Sequence, residues 1–301
     1  MPAATGSAAS STLLLGARGM LGRAFAQLLD HEATPYTALG HAELDLTSTA
    51  DIRAAFETPP KVVINCAAWT DVDGAEAHPR EALAVNGDGV GALATACQAA
   101  DALLLHFSTD YVFNGTATSP YPTNGPRDPV NAYGHSKAVG EELIEKSGCR
   151  YLIVRTSWLY APWGKNFVRT IADLAVRRDH LRVVDDQRGR PSSAEHVARV
   201  SLELIRLALS APAGAAPRPR GLSSKAILHV TDGGECTWFE FAQEIARRRA
   251  PACRVEPCSS AEFPRPARRP GYSVLDLAPT EALVGPMRDW RENLADVLAR
   301  P

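Results

Sequence analysis

Tyr133 stands four residues ahead of Lys137 in the stretch NAYGHSKAVGEE, a spacing that puts both side chains on one face of a helix. A phenol beside an ammonium is one way to supply a proton to a carbonyl that is accepting hydride. Free tyrosine titrates at about 10, too weakly acidic to work well near neutrality. An ammonium about 5 Å away, at an effective dielectric near 20, is worth on the order of 3 kcal/mol. That lowers the phenol by roughly two pH units, so on this reading Lys137 does most of the activation. The same spacing also arises as surface decoration, and the neighbouring segments must decide between the two.

The first of those segments is LLLGARGMLG, where Gly16, Gly19 and Gly22 lie between an apolar run and the start of a helix. Glycine there allows a tight turn, close backbone approach to a pyrophosphate and helix–strand packing. The helix N-terminus then offers unpaired N–H groups and a partial positive charge to phosphates. An acidic residue at the end of the second strand normally holds the ribose hydroxyls of NAD. Near the end of PYTALGH no carboxylate stands, and Arg18 in the glycine loop is placed either to meet a 2′-phosphate or to be solvated. The reading therefore leans to NADPH, with NADH as the alternative.

These residues need a scaffold that brings them to one edge. TLLLG, KVVINCAA, ALLLHFSTD, RYLIVRTSWLY and AILHV read as strands bounded by turn signals. Helices are expected from about 22 to 30, from 79 to 100, through NAYGHSK, through NFVRTIADLAVRR, through CTWFEFAQEIARRR and at the closing DWRENLADVLAR. Strands alternating with helices predict an α/β fold, a doubly wound parallel sheet of Rossmann-like kind with a smaller C-terminal α/β substrate lobe. In such sheets ligand-facing residues gather at the carboxyl ends of the strands, where HFSTDYVFNG places Thr109, Asp110 and Tyr111. The expected division is a disordered lead at 1–11, a dinucleotide-binding domain at 12–180 to which parts of 190–230 return, and a mainly substrate-binding lobe at 181–301. The Pro/Ala/Gly stretch at 211–220 reads as an exposed loop.

Composition sets the outer limits. The 301 residues are 45% apolar and 22% charged, ordinary for a soluble globular chain. A formal net charge of -2 shows no basic excess, which disfavours nucleic acid as a partner. No apolar run approaches the roughly 20 residues of a membrane helix, and the opening MPAATGSAASS does not read as a signal peptide. Six cysteines without a Cys-x-x-Cys pair argue for idle thiols in a reducing cytoplasm rather than a zinc or disulfide framework.

The Gly-x-x-Gly-x-x-Gly loop, NCAAWTDVD, STDYVFNG and NAYGHSK, in that order, resemble the extended short-chain dehydrogenase/reductase family. Within it the chain is similar to the dTDP-4-dehydrorhamnose reductases, through NCAAWTDVDGAEAHPREALAVN, DPVNAYGHSKAVGEE, RTSWLYAPWGKNFV, DDQRGRPSS and FPRPARRPGYSVLD. The resemblance implies reduction of the 4-keto group of a dTDP-linked 6-deoxy-hexulose by NADPH or NADH, giving dTDP-L-rhamnose. It implies a catalytic set of Thr109, Tyr133 and Lys137, with Thr109 orienting the substrate oxygen and Lys137 also holding the nicotinamide ribose. Thr109, Asp110, Tyr111, Tyr133 and Trp158 would contact the nucleotide sugar, although an aromatic after an apolar strand is as often core as platform. Gly16, Arg18, Gly19, Met20, Leu21, Gly22, Asp45, Leu46, Ala67, Ala68, Trp69 and Thr70 would line the cofactor path with Tyr133 and Lys137.

Three departures refine what the resemblance implies. Tyr111 stands where nucleotide-sugar 4,6-dehydratases carry an eliminating glutamate, which argues against that reaction. Some relatives hold a metal between subunits through an acidic residue early on the first helix; Ala24 occupies that position, so no such metal is expected. Serine replaces threonine at the end of DQRGRPS. Other readings are a ketoreductase for a different deoxysugar, an epimerase with retained cofactor, and a non-catalytic NADP-binding subunit similar to the regulatory β subunit of methionine adenosyltransferase. The expected assembly is a monomer or a homodimer.

Overall fold

Four strands from the first half of the chain, one from its middle and one from the last third build the central sheet of the computed structural model, which describes residues 12–210 and 222–300. The lead at 1–11 and the loop at 211–220 lie outside the described residues. β1 (Thr12–Leu15) leads into α1 (Met20–His31), then β2 (Thr37–Leu39), α2 (Thr49–Ala55) and β3 (Val62–Asn65). α3 (Val72–Ala77), α4 (Pro79–Leu83) and α5 (Gly89–Ala99) cross to β4 (Leu103–Thr109). α6 (Ala132–Ser147) and β5 (Arg150–Thr156) follow, then β6 (Leu159–Tyr160), α7 (Phe167–Arg177) and β7 (His180–Val184). The short β8 (Arg188–Gly189) and β9 (Ser192–Ser193) precede α8 (Ala194–Ser210) and β10 (Lys225–His229). The chain closes with β11 (Cys236–Thr237), α9 (Trp238–Arg249), β12 (Arg254–Cys258), α10 (Ala278–Val284) and α11 (Trp290–Leu298).

The sheet order is β10-β5-β4-β3-β1-β2, and every neighbouring pair is parallel. From β1 the chain first runs outward to β2 and then returns to β3 on the other side. That reversal opens a crevice at the carboxyl ends of β1 and β3, where doubly wound sheets take their ligands. β1, β3 and β4 are buried along their whole length, as strands covered on both faces must be. Leu14, Ile64, Leu105 and Val154 pack toward Phe25, Val197 and Ile205 of α1 and α8 on one face. Leu13, Val63, Leu104 and Ile153 pack toward Val90, Leu93 and Ile144 of α5 and α6 on the other.

A separate apolar cluster joins α7, α9 and α11 over the paired β7 and β12, with Val168, Phe241, Ile245, Trp290 and Leu294 at its centre. Thr237 starts α9 with a capping box: its hydroxyl accepts the Glu240 N–H while Glu240 accepts the Thr237 N–H.

The helix expected as continuous from 79 to 100 is interrupted by a π-helical turn at Ala84–Asp88. Asn86 lies inside that turn and is fully buried. Its carboxamide accepts the Trp69 N–H (2.9 Å) and donates to Trp69 O (3.0 Å) and Ser136 Oγ (3.0 Å). Gly140 of α6 presses against the same turn, since a Cβ there would lie 2.1 Å from Asn86 O. The wide turn thus clamps the loop after β3 to α6, and π-turns are often found at functional sites.

Candidate active site

The glycine loop closes the β1 end of the crevice through backbone alone. Gly16 has φ +68°, and a Cβ on it would lie 2.6 Å from Ala67 N, so both the turn and the contact with the loop after β3 require glycine. Gly19 caps α1 with no side-chain hydrogen bond, and no acidic residue occupies the first turn. The first N–H groups of a 12-residue helix therefore face the cleft without a competing cap. A pyrophosphate fits that end. Asp45 sits further along, its carboxylate held below the usual range by the Thr47 N–H and hydroxyl at 2.9 and 2.8 Å.

All but one of the expected residues border a single cleft of about 750 Å3 running from this loop to the aromatic pair described below. The exception is Gly22. Its Cβ position points at Gly16 O, 2.2 Å away, so it serves helix–loop packing and does not reach the cleft. Arg18 borders the cleft as well. Its guanidinium is paired with Glu43, whose other carboxylate oxygen accepts the Gly40 N–H at 2.9 Å. A carboxylate does therefore stand at the end of β2, folded back by a turn from three residues on. Among the described residues no group of three or more His, Cys, Asp or Glu is placed to hold a metal ion, and Ala24 is buried within α1.

The acid–base groups are positioned by the start of α6. Asn131 caps that helix, accepting the Gly134 N–H at 2.7 Å, and its amide donates to Arg268 O at 2.9 Å. A Cβ on Gly134 would lie 2.1 Å from Tyr111 O, so the helix start seats directly on the segment after β4. This brings Tyr133 beside Thr109 and Tyr111, the two tyrosine rings meeting edge to face at 6.2 Å. Burial and the nearby Asp110 carboxylate push the Tyr133 phenol up to about 12, against the pull of the Thr109 hydroxyl. Asp110 is 2% exposed; burial raises it to about 7, although hydrogen bonds from Ser273 and Thr109 pull it down.

Lys137 shares the helix face with Tyr133, and its amine is hydrogen-bonded to β4. It runs under the sheet edge, where Nζ donates to Phe107 O at 2.6 Å and meets His106 Nε2 at 3.1 Å. Burial lowers it to about 8, opposed by Glu141 and the Cys66 thiol. The contacts of the Lys137 amine thus run to β4, and none of them is a hydrogen bond to the Tyr133 hydroxyl.

At the far end Trp158 lies flat on Trp238 of α9, ring centroids 3.6 Å apart and 11° from parallel. Trp158 adopts φ +46°, uncommon for a bulky side chain and a mark of strain held by its surroundings. Gly189 leaves room for it, since a Cβ there would lie 2.7 Å from the indole. Arg269 sits over the Tyr111 ring at 5.8 Å and pairs with Asp73 at 3.0 Å. Trp238, Asn86, Arg269 and Ser273 were not foreseen. Asn86 carried a legible signal, a polar residue in an alanine-rich helix; for Trp238 nothing local distinguishes a platform from core.

Comparison with known proteins agrees with this geometry. A family model described as RmlD substrate binding domain matches residues 10–301. The chain is 43% identical over 291 residues to a dTDP-4-dehydrorhamnose reductase of Streptomyces griseus, covering 94% of this chain and 91% of that one. It is 38% identical to a probable dTDP-4,6-dihydroxy-2-methyloxan-3-one 4-ketoreductase of Streptomyces antibioticus, covering 95% of each. The crystal structure of dTDP-4-dehydrorhamnose reductase from Bacillus anthracis in complex with NADP superposes with a TM-score of 0.87 at 33% identity, over 96% of this chain and 99% of that one. Full-length coverage at these identities leaves one assignment: the chain belongs to the family described as RmlD substrate binding domain, that of the dTDP-4-dehydrorhamnose reductases.

Proposed function

We propose that the protein is a reductase that adds hydride to the 4-keto carbon of a dTDP-linked 6-deoxy-4-keto-hexose, with NADPH or NADH as donor. The observation that carries this reading is the placing of Thr109, Asp110 and Tyr133 on the wall of the same cleft whose other end is the uncapped start of α1. When bound there, the reduced nicotinamide supplies the hydride. As the carbon accepts it, negative charge grows on the carbonyl oxygen, and the Tyr133 phenol delivers a proton to that oxygen. A phenol at about 12 still loses its proton downhill to an alkoxide, whose basicity is comparable with that of hydroxide, water's own pKa being about 15.7. Tyr133 thus works as the acid for this step, and solvent restores its proton afterwards. Thr109 orients the carbonyl, Asp110 in its protonated form donates to a sugar hydroxyl, and the Trp158–Trp238 pair covers the sugar nucleotide.

Lys137 donates from the floor of the cleft to the nicotinamide ribose. Arg18 borders the adenosine end of the cleft and suits a 2′-phosphate, while Glu43, which pairs with it, lies outside the cleft lining; the reading therefore leans to NADPH, with NADH as the alternative. Residues 12–180 with α8 and β10 form the dinucleotide-binding part, the remainder the substrate lobe. The six free cysteines suit a cytoplasmic enzyme, working as a monomer or homodimer. Among the described residues no helix is long and apolar enough to cross a membrane.

The test is absorbance loss of NADPH and of NADH against dTDP-4-keto-rhamnose, followed by product identification. Formation of dTDP-L-rhamnose with one cofactor oxidised per sugar supports the reading. A different reduced sugar moves it to the second reading that the Streptomyces antibioticus relative favours, a ketoreductase for another deoxysugar. Cofactor binding with no turnover leaves the regulatory-subunit reading, and turnover without net oxidation leaves the epimerase.

A further inference from the structure

Beneath the cleft, a line of three buried side chains leads from β3 through β4 to α6, and its hydrogen-bond polarity can be read from one end to the other. Asn65 Oδ1 accepts the Ala67 N–H at 3.1 Å. A backbone N–H can only donate, so the carboxamide is oriented with its NH2 group toward His106 Nδ1, 3.1 Å away. His106 Nδ1 must then be the acceptor, which puts the single proton of a neutral imidazole on Nε2. That N–H faces Lys137 Nζ at 3.1 Å. An ammonium there would set donor against donor; a neutral amine offers its lone pair to Nε2–H, gives one hydrogen to Phe107 O at 2.6 Å and keeps another toward the cleft that Lys137 borders.

We propose that Asn65 and His106 are positioning residues that set the proton on Lys137, the polarity of the line favouring its neutral amine over its ammonium in the nucleotide-free protein. Asn65, His106 and Lys137 are each no more than 1% exposed, so water does not relieve the polarity of the line. Burial holds His106 well below its ordinary range, which keeps the imidazole neutral. Of the groups facing the line from the packed elements, Glu141 and Cys66 favour the ammonium, and burial outweighs them. The Cys66 thiol of β3 is pushed up by burial and stays protonated. Glu141, one helical turn on, has its charge taken by Arg155 of β5 at 2.7 Å and Arg127 at 2.6 Å. Ser108 is neutral, and Tyr133 keeps its proton. The inference concerns the same site as the proposed reductase and rests on that reading only for its consequence: cofactor affinity and rate acquire a dependence on whether this line has yielded.

Asn65→Asp is the decisive variant because it reverses the polarity without removing the line. A carboxylate still accepts the Ala67 N–H but now also accepts from His106 Nδ1, so Nε2 becomes an acceptor and an ammonium is favoured. The measurement uses protein labelled with 15N in histidine rings and with 13C and 15N in lysine side chains, of which there are five. His106→Gln and Lys137→Met supply the assignments. In the unsubstituted protein the expected result is a proton on His106 Nε2, and a Lys137 resonance titrating with a midpoint near about 8. In Asn65→Asp the ring proton moves to Nδ1 and the Lys137 midpoint rises by at least about one pH unit, tenfold in proton affinity. A ring proton on Nδ1 in the unsubstituted protein, or a lysine that stays charged up to its ordinary range, overturns the proposal without recourse to any variant. So does an Asn65→Asp protein whose only change is lower stability. The pH profile of kcat/KM separates the two readings: if no dTDP-4-keto sugar is reduced, the functional reading fails while the resonances still decide the polarity of the line.

Discussion

The two ends of the cleft are built by different means. The nucleotide end is made of backbone and of segments close in sequence: β1, the glycine loop and the start of α1 follow one another, and only the loop after β3 is added. The sugar end is made of side chains from five separate stretches, around Thr109, Tyr133, Trp158, Trp238 and Arg269, drawn together by the packing of α6 on the segment after β4 and of α9 on β11. The first kind of site depends on what is absent, a Cβ at Gly16 or a cap on α1. The second depends on functional groups being present and aimed. Damage should therefore express itself as lost cofactor affinity at one end and lost turnover at the other.

The largest effect is expected from Tyr133→Phe, which removes the acid and leaves the ring in its edge-to-face contact. kcat should fall by roughly 10²–10⁴-fold while the cofactor Kd, read by fluorescence quenching, stays within about twofold; unchanged turnover would remove Tyr133 from the chemistry. Next comes Gly16→Ala. A Cβ 2.6 Å from a backbone nitrogen at φ +68° costs about 1–3 kcal/mol of stability, seen as a lower urea midpoint. Cofactor Kd should rise with it, while kcat at saturating cofactor is kept. A loss of kcat alone would break the division between the two ends. Trp238→Ala removes a stacked partner worth about 0.5–1.5 kcal/mol, so KM for the sugar nucleotide should rise roughly three- to tenfold with cofactor Kd unaltered.

The last expected effect is read on stability against pH rather than on the cleft. Asp110 titrates at about 7 in the fold against 3.8 ordinarily, so the folded chain binds more protons than the unfolded chain between those values. Its contribution to stability is complete below about pH 4 and is lost as pH rises through about 7. Asp110→Asn should make the fall of urea-unfolding stability across that window shallower, by at most about 1.4 kcal/mol per pH unit. An unaltered slope would mean that Asp110 is ionised throughout, leaving it unable to donate to the sugar.

Which parts of this were legible beforehand follows from the same contrast. The alternation of apolar strands and helices is local, and so are the glycine spacing and the i, i+4 placing of Tyr133 and Lys137; each could be read directly. What that placing could not tell was where the tips point. A shared helix face brings two side chains near each other at their bases, yet the lysine stem extends to Phe107 O while the phenol stays with Thr109. Glu43 was passed over because it follows the strand end by a turn, and only the Gly40 hydrogen bond brings it back. His106 did carry a signal. A histidine inside a fully buried strand must have partners for both ring nitrogens, but the partners come from β3 and α6 and have no fixed distance in sequence.

By itself the order of residues determined the elements, the parallel sheet they form and the end of it that takes a ligand, because periodicity, turn chemistry and glycine's conformational range act over a few residues at a time. Tertiary structure alone decided that Trp158 would lie on Trp238, that Arg18 would be paired with Glu43, and that the Lys137 amine would meet the His106 ring and Phe107 O. Those are directional contacts between side chains of distant segments, and direction is settled only when the segments are packed and every buried donor must find its acceptor.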